Sequence, residues 1–260
     1  LATFMPFTTQ EVFTPNATYY GFNPLSNSMI TLDRNNLINY GALILGMSGT
    51  GKSFTAKREI LDKYFRTNDN IIICDPQAEY ITLTKELGGT VIEISATSKH
   101  HLNPFDINLR SYEKGDDPVA IKSQFILSMC EAAIGNLEAA EKSIIDRCIR
   151  KIYQKYLDDP NPENIPVFKD LYNALRSVEN NLHAQDVADA LEIFVTGSLS
   201  VFNHRTNVDV NNRILCFDIR KLSEHLHKMG ILVIVDYVWN KISNSRDKNL
   251  STWFYVDEFH

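Results

Sequence analysis

Apolar and polar positions alternate along this chain in blocks that read as a wound α/β protein with a helical stretch set into it. Ile38 to Leu45 is an apolar run of strand length. Phe54, Arg58, Leu61 and Phe65 then recur at helical spacing, with Lys57, Glu59 and Lys63 on other faces, so the pattern predicts a helix ending near Phe65. Ile71 to Cys74 is a short continuous apolar run of the kind parallel strands show when both faces are covered. Asp75 with Pro76 predicts a second helix start, stopped at Gly88 and Gly89, and Val91 to Ile94 predicts a third strand. Strand, helix and strand in this order point to a parallel sheet with crossover helices.

From about residue 113 to 200 the period changes to an almost wholly helical one. Asp117 and Pro118 predict a helix through Met129, and Leu137, Ala140, Ile144, Cys148 and Ile152 mark one face of a helix from about Leu137 to Tyr156, with Asn136 as its cap. Val167 to Arg176 and Gln185 to Val195 follow beyond a proline-rich loop. The α/β rhythm returns at Ile214 to Phe217, a strand closing on Asp218, then a helix over Leu222 to Lys241 interrupted near Gly230, then Trp253 to Val256 leading into Asp257 and Glu258. The expected organisation is an irregular connector over 1–30, a first α/β portion over 31–112, an all-helical insertion over 113–212 and a second α/β portion over 213–260.

Composition adds limits. The chain has 260 residues, ample for a real core, and a net charge of −6, from 26 basic and 32 acidic residues, so no dominant basic surface advertises nucleic acid. Cys74, Cys130, Cys148 and Cys216 form no CxxC pair and no secretory signal precedes them, which predicts buried, reduced thiols in a cytoplasmic protein. The strongest apolar run, Ile231 to Trp239, is broken by Asp236 and is too short to span a bilayer. The opening on Leu1 and the end at His260, just past a motif, read as those of an excised segment.

The chemistry concentrates at Gly46, Met47, Ser48, Gly49, Thr50, Gly51, Lys52 and Ser53, which read GxxxxGKS between a predicted strand and a predicted helix. Glycines let successive backbone N–H groups close around a phosphate, and the helix that follows adds its own free N–H groups and dipole. Lys52 is expected to reach the β and γ phosphates and Ser53 to ligate Mg²⁺, with Phe54 completing the nucleotide contacts. At ordinary residue frequencies such a pattern arises by chance in roughly one chain in a hundred of this length. An apolar strand ending in two acids is the partner such a loop needs: Asp257 for the Mg²⁺ shell and Glu258 as general base. Asp75 and Glu79, at the end of a neighbouring strand, are further candidates beside the phosphate site, and Asp75 has capping as its simpler role. Arg205 is a candidate cation for a phosphate in its own or a neighbouring subunit, or a plain surface arginine. His225 with His227, and His100 with His101, lack ligand spacing and predict no metal site.

Taken together, Tyr20-Gly21, Asp33-Arg34, GMSGTGKS, CDPQAEY, LNPFD at 102–106, the helical insertion, the strand end at Asp218 and YVDEFH resemble the C-terminal ATPase domain of conjugative type IV secretion ATPases, the VirB-four, TraC and TrbE kind. The resemblance implies a RecA-like P-loop fold, α/β with a parallel sheet and an inserted all-helical subdomain, using ATP and Mg²⁺ to support pilus assembly or substrate transfer. It implies a location at the inner face of the cytoplasmic membrane through other secretion-channel components, and a homo-oligomer, a hexamer being one such assembly. It also places a central strand with a polar sensor residue after the second acidic motif, so the sheet here is expected to lack that strand. Two other readings of the same motifs are a DNA translocase of the HerA and FtsK kind and a nucleotide-binding assembly scaffold with little turnover.

Overall fold

A computed structural model describes residues 12–15, 17–47, 49–109, 115, 117–245 and 250–258 of the chain. The chain divides into two compact units, 1–68 and 69–260.

In the first unit, β1 (Thr18–Phe22) and β2 (Met29–Leu32) form an antiparallel hairpin whose register shifts between Tyr19 and Gly21. Composition had assigned β1 to irregular chain; Asn23 makes the turn, its Oδ1 accepting from the Leu25 and Ser26 N–H groups. A short 3₁₀ turn follows at Arg34–Asn36, then α1 (Lys52–Arg66). The helix is where the periodicity predicted it, but its inward face is not. Phe54 and Phe65 are 73% and 74% exposed, while Glu59 and Lys63 are buried beside Ala56 and Ile60. The cause is a polar network: Arg34 Nη2 meets Glu59 Oε2 at 2.7 Å, and the Tyr20 hydroxyl donates to Glu59 Oε1 at 3.1 Å and accepts from Arg34 Nε at 3.0 Å. Burial, reinforced by the Glu59 charge, pushes the Tyr20 hydroxyl up to about 12. This network accounts for Tyr20 and Arg34, which entered the sequence pattern as unexplained pairs.

The predicted strand at Ile38 to Leu45 is not one. Its backbone joins no ladder among the described residues, and Ile38 and Leu43 are 105% and 76% exposed. An apolar run becomes a strand only where a neighbour takes up its N–H and C=O groups, and no described strand lies alongside this one.

The second unit holds a four-stranded, wholly parallel sheet in the order β4-β5-β3-β6: β4 (Thr90–Glu93), β5 (Ile214–Asp218), β3 (Asn70–Asp75) and β6 (Thr252–Val256). Every residue of β3 and β5 is buried, as expected for central parallel strands. Helix α2 is only Ile81–Glu86, later than Asp75-Pro76 predicts, because Ala78 takes a left-handed φ of 61° that no helix tolerates. Asp75 instead accepts from the Glu79 and Tyr80 N–H groups at 3.0 and 2.8 Å, holding the turn before the helix.

Between β4 and β5 run α3 (Pro118–Ile134), α4 (Ala139–Asp158), α5 (Phe168–Arg176) and α6 (Leu182–Val195). Asp117 caps α3 as predicted. Asn136 does not cap α4; Glu138 begins it, with Glu141 reaching back to the Glu138 N–H at 2.7 Å. Helix α7 (Glu224–Ser245) passes Gly230 unbroken, and a Cβ there would meet Leu222 at 2.7 Å, so that glycine serves close packing. Sheet and helices share one apolar core from Ile72 and Phe217 to Tyr153 and Leu191.

The LNPFD segment fastens the helices to the sheet. Phe105 is fully buried with its ring edge-on to Phe168, and its carbonyl accepts from the Tyr153 hydroxyl at 2.6 Å. Asn103 Nδ2 donates to the Pro166 carbonyl at 2.8 Å. Deeper still, Lys122 of α3 meets Asp236 of α7 at 2.7 Å. All four cysteines are buried and free. Among the described residues no helix is long and apolar enough to cross a membrane.

Candidate functional site

The phosphate-loop residues lie in the first unit. Gly49 and Gly51 adopt φ of 79° and 94°, which only glycine takes without strain, and Gly51 stands where a helix cap would stand. Gly46 is required for another reason: a Cβ there would meet Thr50 Oγ1 at 2.5 Å, so the loop closes back on itself. The Thr50 hydroxyl donates to the Met47 carbonyl at 2.7 Å, and the Thr55 N–H and hydroxyl both bond the Gly51 carbonyl. No side chain caps α1, and its first turn carries no acid. The N-cap, a glycine, offers no side-chain acceptor to the leading N–H groups, and the positive end of the dipole has no acidic residue in that turn. Lys52 and Ser53 are partly exposed in this turn, Phe54 points outward, and Ser48 lies outside the described residues.

The acidic candidates lie in the second unit, on the carboxyl edge of its sheet. All four strands end at an acid: Glu93 closes β4, Asp218 closes β5, Asp75 closes β3, and Asp257 follows β6. Two are fully engaged: both oxygens of Asp75 hold backbone N–H groups, and Glu93 pairs with Lys221 at 2.9 Å. Asp218 accepts one N–H, that of Arg220, at 3.1 Å, and is buried. Asp257 is similar in its contacts but is only partly buried. Its backbone N–H continues the ladder to the Cys74 carbonyl at 3.2 Å, its Oδ1 accepts the Glu258 N–H at 3.1 Å, and its Oδ2 has no partner among the described residues. Burial holds its carboxyl above the usual range, and the charges of Glu79, Glu258 and Asp75 push it the same way, against the pull of the Glu258 N–H. The same surroundings, burial first and then Asp75 and Asp257, raise the Cys74 thiol to about 12.

Glu258 is exposed and left-handed, with φ of 49°. A non-glycine residue there costs on the order of 1–2 kcal/mol. Phe259 and His260 of the YVDEFH motif lie outside the described residues.

Sequence reasoning ranked Asp75 as a site candidate, and the structure spends it on a turn. Glu79 is exposed near Asp257 and makes itself felt there electrostatically. Arg205 is not directed at a ligand: Nη1 donates to the Pro162 and Ile165 carbonyls at 2.8 and 3.1 Å, and Nη2 to that of Glu163. What the sequence did not disclose is that Asp75 and Glu93 are engaged by the protein itself, one by backbone N–H groups and the other by Lys221.

The residues suit the groups their pattern implies. A crowded, partly desolvated carboxylate gains from a hard divalent cation. Among the described residues no three acidic, histidine or cysteine side chains converge as a metal site. Mg²⁺ is commonly bound through one or two carboxylates with water and phosphate oxygens.

Residues 21–238 match the protein family described as DUF87: Helicase HerA, central domain. No curated protein matches the chain. Among solved structures, VirB4 of Thermoanaerobacter pseudethanolicus superposes with a TM-score of 0.83 at 22% identity, over 96% of this chain and 69% of that one. The fold is therefore shared with VirB4: a parallel sheet joined to a helical region. The bacterial conjugative coupling protein TrwBdeltaN70 matches in its trigonal form in complex with sulphate, with a TM-score of 0.48 at 17% identity over 82% of this chain and 54% of that one. Its unbound monoclinic form gives 0.44 at 14% identity, over 80% and 53%.

Proposed function

We propose that this chain, which belongs to the HerA helicase central-domain family, is the ATP-hydrolysing motor domain of a conjugative type IV secretion system. The observation that carries the reading is the loop at Gly46–Ser53, closed on itself and opening α1 with no capping side chain and no acid in its first turn. Such a terminus is a ready site for phosphate.

In this reading the backbone N–H groups of the loop would hold the phosphate chain, the Lys52 ammonium would offset the charge of the β and γ phosphates, and the Ser53 hydroxyl and Asp257 carboxylate would be the cation's protein ligands. Mg²⁺, when bound, supplies counter-charge to the phosphates. Glu258 takes a proton from a water whose oxygen bonds to the γ-phosphorus as the bond to the β–γ bridging oxygen breaks, releasing ADP and phosphate. Type IV channel components and further copies of the chain are the proposed partners, at the cytoplasmic face of the membrane.

The test is made in the full-length protein. Lys52→Ala is expected to weaken nucleotide binding, and Glu258→Gln to retain binding while turnover is lost. Wild-type-like hydrolysis by Glu258→Gln would remove the base assignment. The family match to a helicase domain favours one other reading, a DNA translocase. It predicts turnover stimulated several-fold by DNA and steeply salt-dependent binding; no DNA retention in a low-salt filter titration excludes it.

A further inference from the structure

A cavity of about 470 Å³ lies within the second unit, where the LNPFD segment, the loop at 162–165, the segment at 205–210 and the middle of α7 meet. Its size is that of a small-molecule site. Its walls are largely apolar, including Leu102 and Val233, and their polar atoms are unevenly used.

The donors are occupied by the protein itself. The Thr206 hydroxyl donates to Asp106 Oδ2, the Tyr237 hydroxyl to the Val210 carbonyl at 2.6 Å, and the Arg205 guanidinium to the carbonyls of 162, 163 and 165. Asn240 Nδ2 donates to Asp236 Oδ2 at 3.1 Å, beside the Lys122 ammonium at 2.7 Å. One acceptor is left over: Asp236 Oδ1 has no partner among the described residues. Charge is uneven in the same sense. Arg205 and Glu163 bring one charge of each sign, while Lys122 alone stands against Asp106 and Asp236. Burial raises both carboxyls above their usual range, against the pull of the Lys122 charge.

We propose that this cavity binds an organic cation, an ammonium or guanidinium on an aliphatic stem, with the charged head donating to Asp236 Oδ1 and the stem against Leu102 and Val233. A donor-only head is what the unused Asp236 Oδ1 selects, and the apolar wall selects a stem over a bare metal ion. The inference is independent of the ATPase reading, and its test reads binding alone.

Isothermal titration and thermal unfolding of the protein are followed with pentylamine, agmatine, acetyl-arginine methylamide and 1-pentanol. Both amines are expected to bind in the millimolar range or better and to raise Tm with concentration, and 1-pentanol to do neither. Asp236→Asn alone would orphan the buried Lys122, so the pair is replaced together. Lys122→Met with Asp236→Leu keeps an apolar filling of similar size and is expected to weaken amine binding at least about tenfold. Asn240→Leu, which narrows the cavity and leaves the ion pair intact, provides a second variant with the same expected direction. Silence with both amines, pentanol binding as tightly as pentylamine, or undiminished binding by a folded variant would each overturn the proposal. Agmatine binding more tightly than the capped arginine identifies a free amine as occupant; the reverse identifies a partner's arginine side chain.

Discussion

Two apolar runs of similar composition meet opposite fates in this chain. Ile71 to Cys74 lies in β3, buried throughout, with β5 on one side and β6 on the other. Ile38 to Leu45 has the same look in sequence, yet its backbone joins no ladder among the described residues and most of its side chains stand in solvent. The contrast extends to their surroundings. The first unit buries a polar network, Tyr20 with Arg34 and Glu59, and leaves Phe54 and Phe65 outside; the second buries its aliphatic residues and the Lys122 ammonium, paired with a partly buried Asp236. Hydrophobicity states that a segment can be a strand or an inward face. A partner decides whether it is.

The sharpest test of the interior of the second unit is Lys122→Ala, which leaves a partly buried Asp236 without its cation and empties a buried side-chain position; it is expected to cost about 3 kcal/mol or more in urea unfolding, and adding Asp236→Leu should restore part of it. Next, Ile72→Ala in the 260-residue chain is expected to cost about 2–5 kcal/mol, whereas Leu43→Ala should stay within about 0.5 kcal/mol. Equal costs would break the comparison between the two runs. Ala78→Gly relieves a left-handed φ and is expected to stabilise by about 1 kcal/mol, measured as a shift in the unfolding midpoint.

The smallest expected effect is at Asp257. Its raised folded-state pKa means that the folded chain holds this proton more tightly than the unfolded chain. Its contribution to stability therefore falls as pH rises from the ordinary aspartate value, about 3.9, through the raised one, and the penalty is complete above it. Asp257→Asn should accordingly melt modestly higher than the parent at neutral pH without metal or nucleotide, with the difference fading below about pH 4. A variant less stable at neutral pH would contradict the crowding of carboxylates around β6.

Much of the second unit was legible because its elements announce themselves locally. Asp117-Pro118 starts α3, and the apolar runs at 71–74 and 214–217 lie within β3 and β5. In the first unit GxxxxGKS likewise places the start of α1 at Lys52. The misses share a cause. Whether Glu59 faces in or out depends on Arg34 and Tyr20; whether Asp75 caps a helix or holds a turn depends on the φ of Ala78; whether Asp257 keeps an oxygen to spare depends on which backbone groups its neighbours meet. None of these is a property of a residue and its sequence neighbours alone. The candidate site was legible as residue types at a spacing, and its electrostatics were not.

The strand order also sets a timetable. β3 lies between two strands made much later: at its start, the Asp69 carbonyl bonds Arg213 and the Asn70 side chain bonds Thr252, residues 144 and 182 positions downstream. At ordinary synthesis rates, roughly ten to forty seconds separate the emergence of Ile71-Ile72-Ile73-Cys74 from that of the strands that will flank it. For that interval the most apolar segment of the sheet has unpaired edges on both sides, so the nascent chain depends on early helical collapse or on chaperones to keep it from pairing with another copy.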